Sequence, residues 1–245
     1  MAGGLFDDQA AQYARYRPRY PEALLAFLAA AAPSRERAWD AGTGNGQAAV
    51  ALAGFFDRVF ATDISAPQLE QAQKHPRVEY RLCPAEKTAL EAASIDLACA
   101  ATAAHWFDLP AYYAEARRVL KPKGVLALFG YGAGRTGVEG IDALLKRFAG
   151  DILGPYWAAG ATINWSGYRS IPFPFEELET PKFEIDTAWT VDDLLGYWDS
   201  WSSTQEFKRR RGVSPLVEIE ADMRRAWGAG RRVMRFPLGI RLGRV

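Results

Sequence analysis

The sequence predicts a doubly wound α/β fold: a mostly parallel, seven-stranded sheet with helices on both faces and a cap inserted in the C-terminal half. Two observations predict it. Over the first 130 residues short apolar runs alternate with helical patterns at a pitch of roughly 20 to 30 residues, as βα units require. Beyond Gly130 that alternation gives way to a loop punctuated by Gly130, Gly132, Gly134, Gly137 and Gly140, and then to a stretch rich in aromatics and prolines that runs through Pro181.

The elements follow in order. Pro21 opens a helix with apolar positions Leu24, Leu25, Phe27 and Leu28, which continues into an alanine run stopped at Pro33. Strands are predicted at Arg37 to Ala41, Arg58 to Thr62, Val78 to Leu82, Ile95 to Ala100 and Val125 to Phe129, with helices of fitting length between them. Asp108 and Pro110 start the helix Ala111 to Leu120, and Pro122 and Gly124 close that unit. A short helix is expected near Ile141 to Phe148. Phe183, Ile185 and Thr187 alternate with Glu184 and Asp186, a strand pattern ending at Trp189, after which Thr190 caps a helix from Val191 to Trp198. Ser214-Pro215 begins a helix ending near Gly228, and Arg232 to Leu242 is the last strand.

The 245 residues are 49% hydrophobic and 24% charged, enough for a sizeable core and unlike a disordered or fibrous chain. Thirty Lys plus Arg against 29 Asp plus Glu leave a net charge of +1, so no global field recruits nucleic acid or an anionic membrane. Cys83 and Cys99 form neither a disulfide framework nor a CxxC pair, and no metal site is expected. With no signal-peptide pattern and no apolar run of bilayer length, a cytoplasmic location is expected.

In an open parallel sheet, ligands bind beyond the carboxyl ends of the strands. There the first strand runs into Asp40-Ala41-Gly42-Thr43-Gly44-Asn45-Gly46-Gln47, a GxGxG turn. Glycines allow unusual dihedrals and close approach of a ligand. A dinucleotide loop would place its third glycine at Gln47, and a P-loop would need Gly-Lys-Ser/Thr, so both phosphate readings weaken, a nicotinamide oxidoreductase included. About twenty residues on, the second strand ends at Asp63, whose carboxylate can accept both ribose hydroxyls of an adenosine. Taken alone, these features also describe a tight turn beside a solvated aspartate. Cys83-Pro84-Ala85-Glu86 follows the third strand, where it can meet an adenine edge, and Thr102-Ala103-Ala104-His105-Trp106-Phe107 follows the fourth.

Together these residues resemble the class I S-adenosylmethionine-dependent methyltransferases (methyltransferase type 11 domain), in particular the small-molecule branch similar to trans-aconitate methyltransferase. The matching pieces are Trp-Asp-Ala-Gly-Thr-Gly-Asn-Gly, Ala-Thr-Asp-Ile-Ser, Pro-Ala-Glu, Ile-Asp-Leu-Ala-Cys-Ala-Ala-Thr-Ala-Ala-His-Trp-Phe and Arg-Val-Leu-Lys-Pro-Lys-Gly. A lead-in with Phe6 to Tyr13, Arg17, Pro18, Tyr20 and Pro21 adds to them. The resemblance covers roughly residues 5 to 130, and two departures stand out: Thr43 replaces a frequent cysteine, and a lysine of Lys121-Pro122-Lys123-Gly124 replaces a common glycine.

The resemblance implies a Rossmann-like fold in a single methyltransferase domain: an arm over 1–35, a cofactor-binding core over 36–130, a cap over 131–181 and sheet-completing strands and helices over 182–245. It implies S-adenosyl-L-methionine as cofactor and S-adenosyl-L-homocysteine as product. Asp40, Gly42, Thr43 and Gly44 would hold the methionine moiety, Asp63 the ribose, Ile64 the adenine face, and Ala85 and Glu86 its edge. Thr102, His105 and Trp106 would lie beneath the sulfonium.

His105 reads either as the catalytic base or as a ring that orders the pocket, and an acceptor carboxylate, ionised at pH 7, needs no base. Tyr13 and Arg17, four residues apart, either close over the cofactor or an anionic substrate or form a packed arm. Tyr156, Trp157, Trp165, Tyr168, Phe173 and Phe175 suit a lid for a flat or apolar substrate, or simply the core of the cap. Lys208 to Arg211 is a solvated helix face or an anion-drawing patch.

The expected activity is methyl transfer to a small molecule, as O-methylation of a carboxylate or hydroxyl, by a monomer or weak homodimer with neither nucleic acid nor membrane as partner. An RNA or quinone-type methyltransferase and a non-catalytic adenosyl-ligand binding protein are the alternatives.

Overall fold

A computed structural model describes residues 16–245. Its sheet runs in the order β3-β2-β1-β4-β5-β8-β6, with β7 also paired to β8. The strands are β1 (Arg37–Ala41), β2 (Arg58–Asp63), β3 (Val78–Leu82), β4 (Ile95–Ala101), β5 (Leu120–Tyr131), β6 (Glu176–Leu178), β7 (Phe183–Trp189) and β8 (Arg232–Arg244). The first five are parallel to one another, whereas β8 runs antiparallel to β5, β6 and β7.

Residues alternate between two cores, as the period of two in a strand requires. Ala38, Val59, Leu97, Cys99, Val125 and Ala127 face one side, where Leu24, Leu25 and Leu28 of α1 (Glu22–Ala31) and Ala49 and Leu52 of α2 (Gln47–Leu52) cover them. Trp39, Phe60, Ala98, Ala100, Leu126 and Leu128 face the other, against Tyr112, Ala116 and Val119 of α4 (Leu109–Val119). Both faces being covered explains why β4 and β5 read as continuous apolar runs. Burying each large side chain contributes about 1.5–3 kcal/mol. Between β2 and β3 lies the short α3 (Ala66–Glu70).

The capping chemistry read from the sequence is present. The Asp108 side chain accepts from the Ala111 amide, and Thr190 with Asp193 forms a reciprocal capping box at α6 (Val191–Asp199). The third core joins α5 (Glu139–Lys146), α6, α7 (Ser202–Arg211) and α8 (Glu220–Trp227) around Phe148, Trp198, Trp227 and Phe236, with Phe148 stacked on Trp198 at 4.2 Å.

Four sequence expectations change. No helix lies between β3 and β4, where one was expected: turns and loop join them. The sheet has an eighth strand, β6, within the aromatic and proline-rich stretch. Strand β5 begins at Leu120, five residues before Val125, because the Lys-Pro-Lys-Gly segment turns without leaving the strand. Lys123 there holds φ +66, the left-handed conformation that suits glycine. Finally, the segment after Ser214 is a 3₁₀ turn (Pro215–Glu218) followed by α8, not one helix.

Candidate active site

The carboxyl ends of β1 to β5 open into one cleft, and the sheet order fixes which residue lies where. Gly42 and Gly44 follow β1, Asp63, Ile64, Ser65 and Gln68 follow β2, and Cys83, Ala85 and Glu86 follow β3. Thr102, Ala103, His105, Trp106 and Phe107 follow β4 in the middle. On the far side stand Tyr131 and Gly132 at the end of β5, Trp157, Ala161, Asn164 and Trp165 from the stretch expected to form the cap, and Tyr197, Trp201 and Ser202 from the segment beyond β7, with Arg17 from the segment before α1.

The glycine loop is held by its neighbours. The Thr43 amide donates to the Thr62 carbonyl at 2.9 Å, and the Gly44 amide donates to Asp63 Oδ2 at 2.8 Å. Asp63 Oδ1 accepts from the Ser65 amide at 2.9 Å. Each oxygen has a further lone pair, so the carboxylate can still accept two hydroxyls. At Gly42, with φ +67, a Cβ would lie 2.7 Å from the Ala103 Cβ and 3.0 Å from the Phe107 ring, so only glycine lets the loop close against the β4 turn.

Asp40 lies directly behind the glycine loop. Its side chain is fully buried, on the face shared with Ala38. Asp40 Oδ2 accepts from the Thr43 hydroxyl at 2.6 Å, and Oδ1 accepts from the Cys99 thiol at 3.5 Å, since strand register sets Asp40 opposite Cys99. Burial pushes its carboxyl up to about 6, opposed by the Thr43 and Cys99 hydrogen bonds and reinforced by the Asp63 charge. Asp40 therefore supports the loop from behind. Thr43 lines a smaller adjoining hollow with Tyr20, Gly42, Gly44 and Thr102.

Thr102 has φ +54, unusual for a β-branched residue. Its amide donates to the Phe129 carbonyl at 2.7 Å, and its hydroxyl lies 2.9 Å from that of Tyr20. His105 Nδ1 lies 3.3 Å from the Tyr168 hydroxyl. Burial lowers its pKa to about 4, with the Arg17 charge acting in the same direction, so the ring is neutral at pH 7. Arg17 donates to the Ser200 carbonyl at 3.4 Å and places its guanidinium over the Tyr197 ring at 5.4 Å. Glu86 Oε1 accepts from the Asp108 amide, and Ile64 leaves 54% of its surface exposed beside Asp63.

The structure thus brings Arg17, Gly42, Gly44, Asp63, Ile64, Ala85, Glu86, Thr102, His105 and Trp106 to one cleft. Tyr13 lies outside the described residues. The expected lid divides: Trp157 and Trp165 line the cleft, whereas Tyr156 packs on Phe207, Tyr168 is buried beside His105, and Phe173 and Phe175 pack on Tyr113. Those four turn their rings onto neighbouring side chains instead of into the cleft. The basic run is engaged at the end of α7: Lys208 pairs with Asp199, Arg209 and Arg210 pair with Glu206, and Arg211 donates to the Tyr156 hydroxyl. Gln68, Asn164, Tyr197 and Trp201 were not legible as wall residues. They carry no motif, and only the Ser65 cap of α3 hinted at Gln68.

The residues fit an adenosyl ligand. A carboxylate able to take two hydroxyls, an exposed aliphatic side chain beside it and a small residue at Ala85 follow one another along the β1–β3 side, next to a glycine turn that leaves backbone open.

The methyltransferase domain family matches residues 39–128. A Dictyostelium discoideum protein named "Putative methyltransferase" is 33% identical over 91% of this chain and 87% of its own. The structure of a "Putative Type II Methyltransferase" from Anaeromyxobacter dehalogenans superposes with a TM-score of 0.86 at 45% identity, covering 94% of this chain and 98% of that one. The structure of a "putative methyltransferase" from Bacillus halodurans shares the fold, with a TM-score of 0.52 at 20% identity over 91% and 97% of the two chains. By sequence and by fold, the chain belongs to the class I S-adenosylmethionine-dependent methyltransferases. Among the described residues no helix is long and apolar enough to cross a membrane.

Proposed function

We propose that the protein binds S-adenosyl-L-methionine along the β1–β3 side of the cleft and O-methylates a small molecule held on the cap side, with a carboxylate oxygen as acceptor. When bound, that cofactor supplies a methyl group on a positively charged sulfur, transferable to an oxygen nucleophile as the carbon–sulfur electron pair returns to sulfur. Asp63 holds the ribose, Ile64 packs on the base, Ala85 and Glu86 flank its edge, and Gly42 and Gly44 admit the chain that carries the sulfur. Thr102, His105 and Trp106 separate the two halves of the cleft. The aromatic cap residues exclude water from the reacting oxygen.

The observation that carries the carboxylate reading is the state of His105. Its pKa of about 4 makes it a weak base at pH 7, poorly matched to removing a proton from a hydroxyl. A carboxylate has no proton to lose, and the Arg17 guanidinium, which also lines the cleft, favours an anionic acceptor. The RNA alternative has little support, because the basic run is committed to Glu206, Asp199 and Tyr156.

Calorimetric titration with S-adenosylhomocysteine, beside NAD as control, tests the cofactor assignment. One-to-one binding of the former alone is expected. Mass-spectrometric detection of methyl esters from small carboxylic acids then tests the acceptor, and binding without turnover would leave an adenosyl-ligand binding protein.

A further inference from the structure

On the cap side, three indoles form a corner. The rings of Trp157 and Trp165 lie 5.2 Å apart at 84°, and Trp157 lies 5.3 Å from Trp201 at 46°. All three line the cleft. The corner is fixed in place: Trp157 Nε1 donates to the Ala149 carbonyl at 2.9 Å, and Trp201 is 3% exposed. Gly132 lets Trp165 come in close, since a Cβ there would lie 3.3 Å from its Cγ. Trp165 remains 39% exposed, a large apolar surface turned to the cleft rather than into a core.

A corner of two perpendicular rings presents a π face on each wall, so a guest stacked on one turns its own edge to the other. A flat aromatic guest can stack on the first and meet the second edge-to-face, the two arrangements that ring quadrupoles favour; a saturated guest gains only area. Aromatic faces also attract cations, so charge must decide. The acids lining the cleft, Asp63 and Glu86, stand on the β2 and β3 side, and among the described residues no wall residue on the cap side is acidic. Arg17 stands there instead, over Tyr197, whose ring meets Trp201 at 5.4 Å and 87°. The Arg17 guanidinium over Tyr197 and the aromatic corner beyond Trp201 thus stand on the same side of the cleft.

We propose that the methyl acceptor is an aromatic carboxylic acid, its ring seated in the Trp157–Trp165 corner and its carboxylate directed toward Arg17. This rests on the methyltransferase reading above and names its substrate class. In the reaction an acceptor oxygen bonds to the methyl carbon while the carbon–sulfur bond breaks with its electron pair staying on sulfur; no proton moves, and the products are a neutral ester and a neutral thioether.

The test is competitive and needs no turnover. The full chain is first titrated with S-adenosylhomocysteine, then, saturated with it, with benzoate, cyclohexanecarboxylate and benzylamine, following heat and tryptophan fluorescence. Benzoate is expected to bind about fivefold more tightly than its saturated analogue, the scale of one good aromatic contact, and benzylamine more weakly than benzoate. Trp165→Ala should abolish the benzoate preference and Trp165→Phe should keep it; because Trp165 is partly exposed, neither should unfold the protein. Equal affinity for the two acids, stronger binding of benzylamine, or no binding of any probe overturns the proposal. Failure of S-adenosylhomocysteine itself to bind overturns instead the reading on which the proposal rests.

Discussion

The hydroxyl of Tyr20 lies 2.9 Å from that of Thr102, joining the segment that enters α1 to the left-handed residue that directly follows β4. A β-branched residue persists there only because its surroundings hold it: the Phe129 carbonyl accepts from its amide, and its hydroxyl and that of Tyr20 share a hydrogen bond. Tyr20 also meets Phe129 edge-on at 4.9 Å. Tyr20→Phe keeps that packing and removes the hydroxyl. The expected result is a loss of about 1 kcal/mol in denaturant unfolding, together with a several-fold rise in KM for S-adenosylmethionine. Unchanged KM would mean that Thr102 does not shape the cofactor side.

Asp63 serves both the loop and the ligand. Asp63→Ala removes an acceptor for two ribose hydroxyls and leaves the Gly44 and Ser65 amides without their side-chain acceptor. Affinity for S-adenosylhomocysteine should fall at least about tenfold, with a melting temperature lowered by only a few degrees. Calorimetry and thermal unfolding on the same sample separate the two effects. Undiminished affinity would remove Asp63 from the ribose site.

His105 predicts a pH profile. With its pKa lowered to about 4, the ring stays neutral throughout pH 6 to 9, so kcat should show no limb near 6.5. His105→Asn should retain kcat within about tenfold, below the roughly hundredfold loss that deleting a general base brings. A limb near 6.5 that disappears in the variant would instead assign His105 as the base.

Asp40 predicts a pH dependence of stability with the opposite sign to an ordinary paired carboxylate. Its carboxyl titrates near 3.8 when unfolded and near 6 in the fold, so between those values the native state holds the extra proton. The contribution is most favourable below pH 4, declines as pH rises through 6 and is flat above. Asp40→Asn should stabilise the protein at pH 8 by at most about 3 kcal/mol, with the gain vanishing near pH 4. A gain of equal size at both pH values would show that Asp40 is not the titrating group.

Much of this architecture was legible in the sequence because apolar alternation and glycine turns are local signals. The bounds of β1, β3 and β7 follow directly from their residues. Strand β6 was hidden: its three residues include two acids, and its pairing with Leu242 to Arg244 is set from far along the chain. Spacing placed Asp40 beside the glycines, yet it could not say on which side of the strand the carboxylate falls. Register against Cys99 decides that. The cap-side wall was only partly legible, since Trp157 and Trp165 look in sequence like Tyr156 and Tyr168, and only the three-dimensional path separates cleft from core.

Strand β8 is inserted between β5 and the pair β6 and β7, although it follows all of them in the chain. During vectorial synthesis on the ribosome, β5 therefore emerges with one edge unpaired and must wait more than a hundred residues for its neighbour. An open, apolar strand edge is a template for association with other nascent chains. The parallel half can form early, but the cap side cannot be enclosed until Arg232–Arg244 has left the exit tunnel. The nascent chain could thus assemble the glycine loop well before the aromatic corner, and a chaperone shielding the edge of β5 would act in that interval.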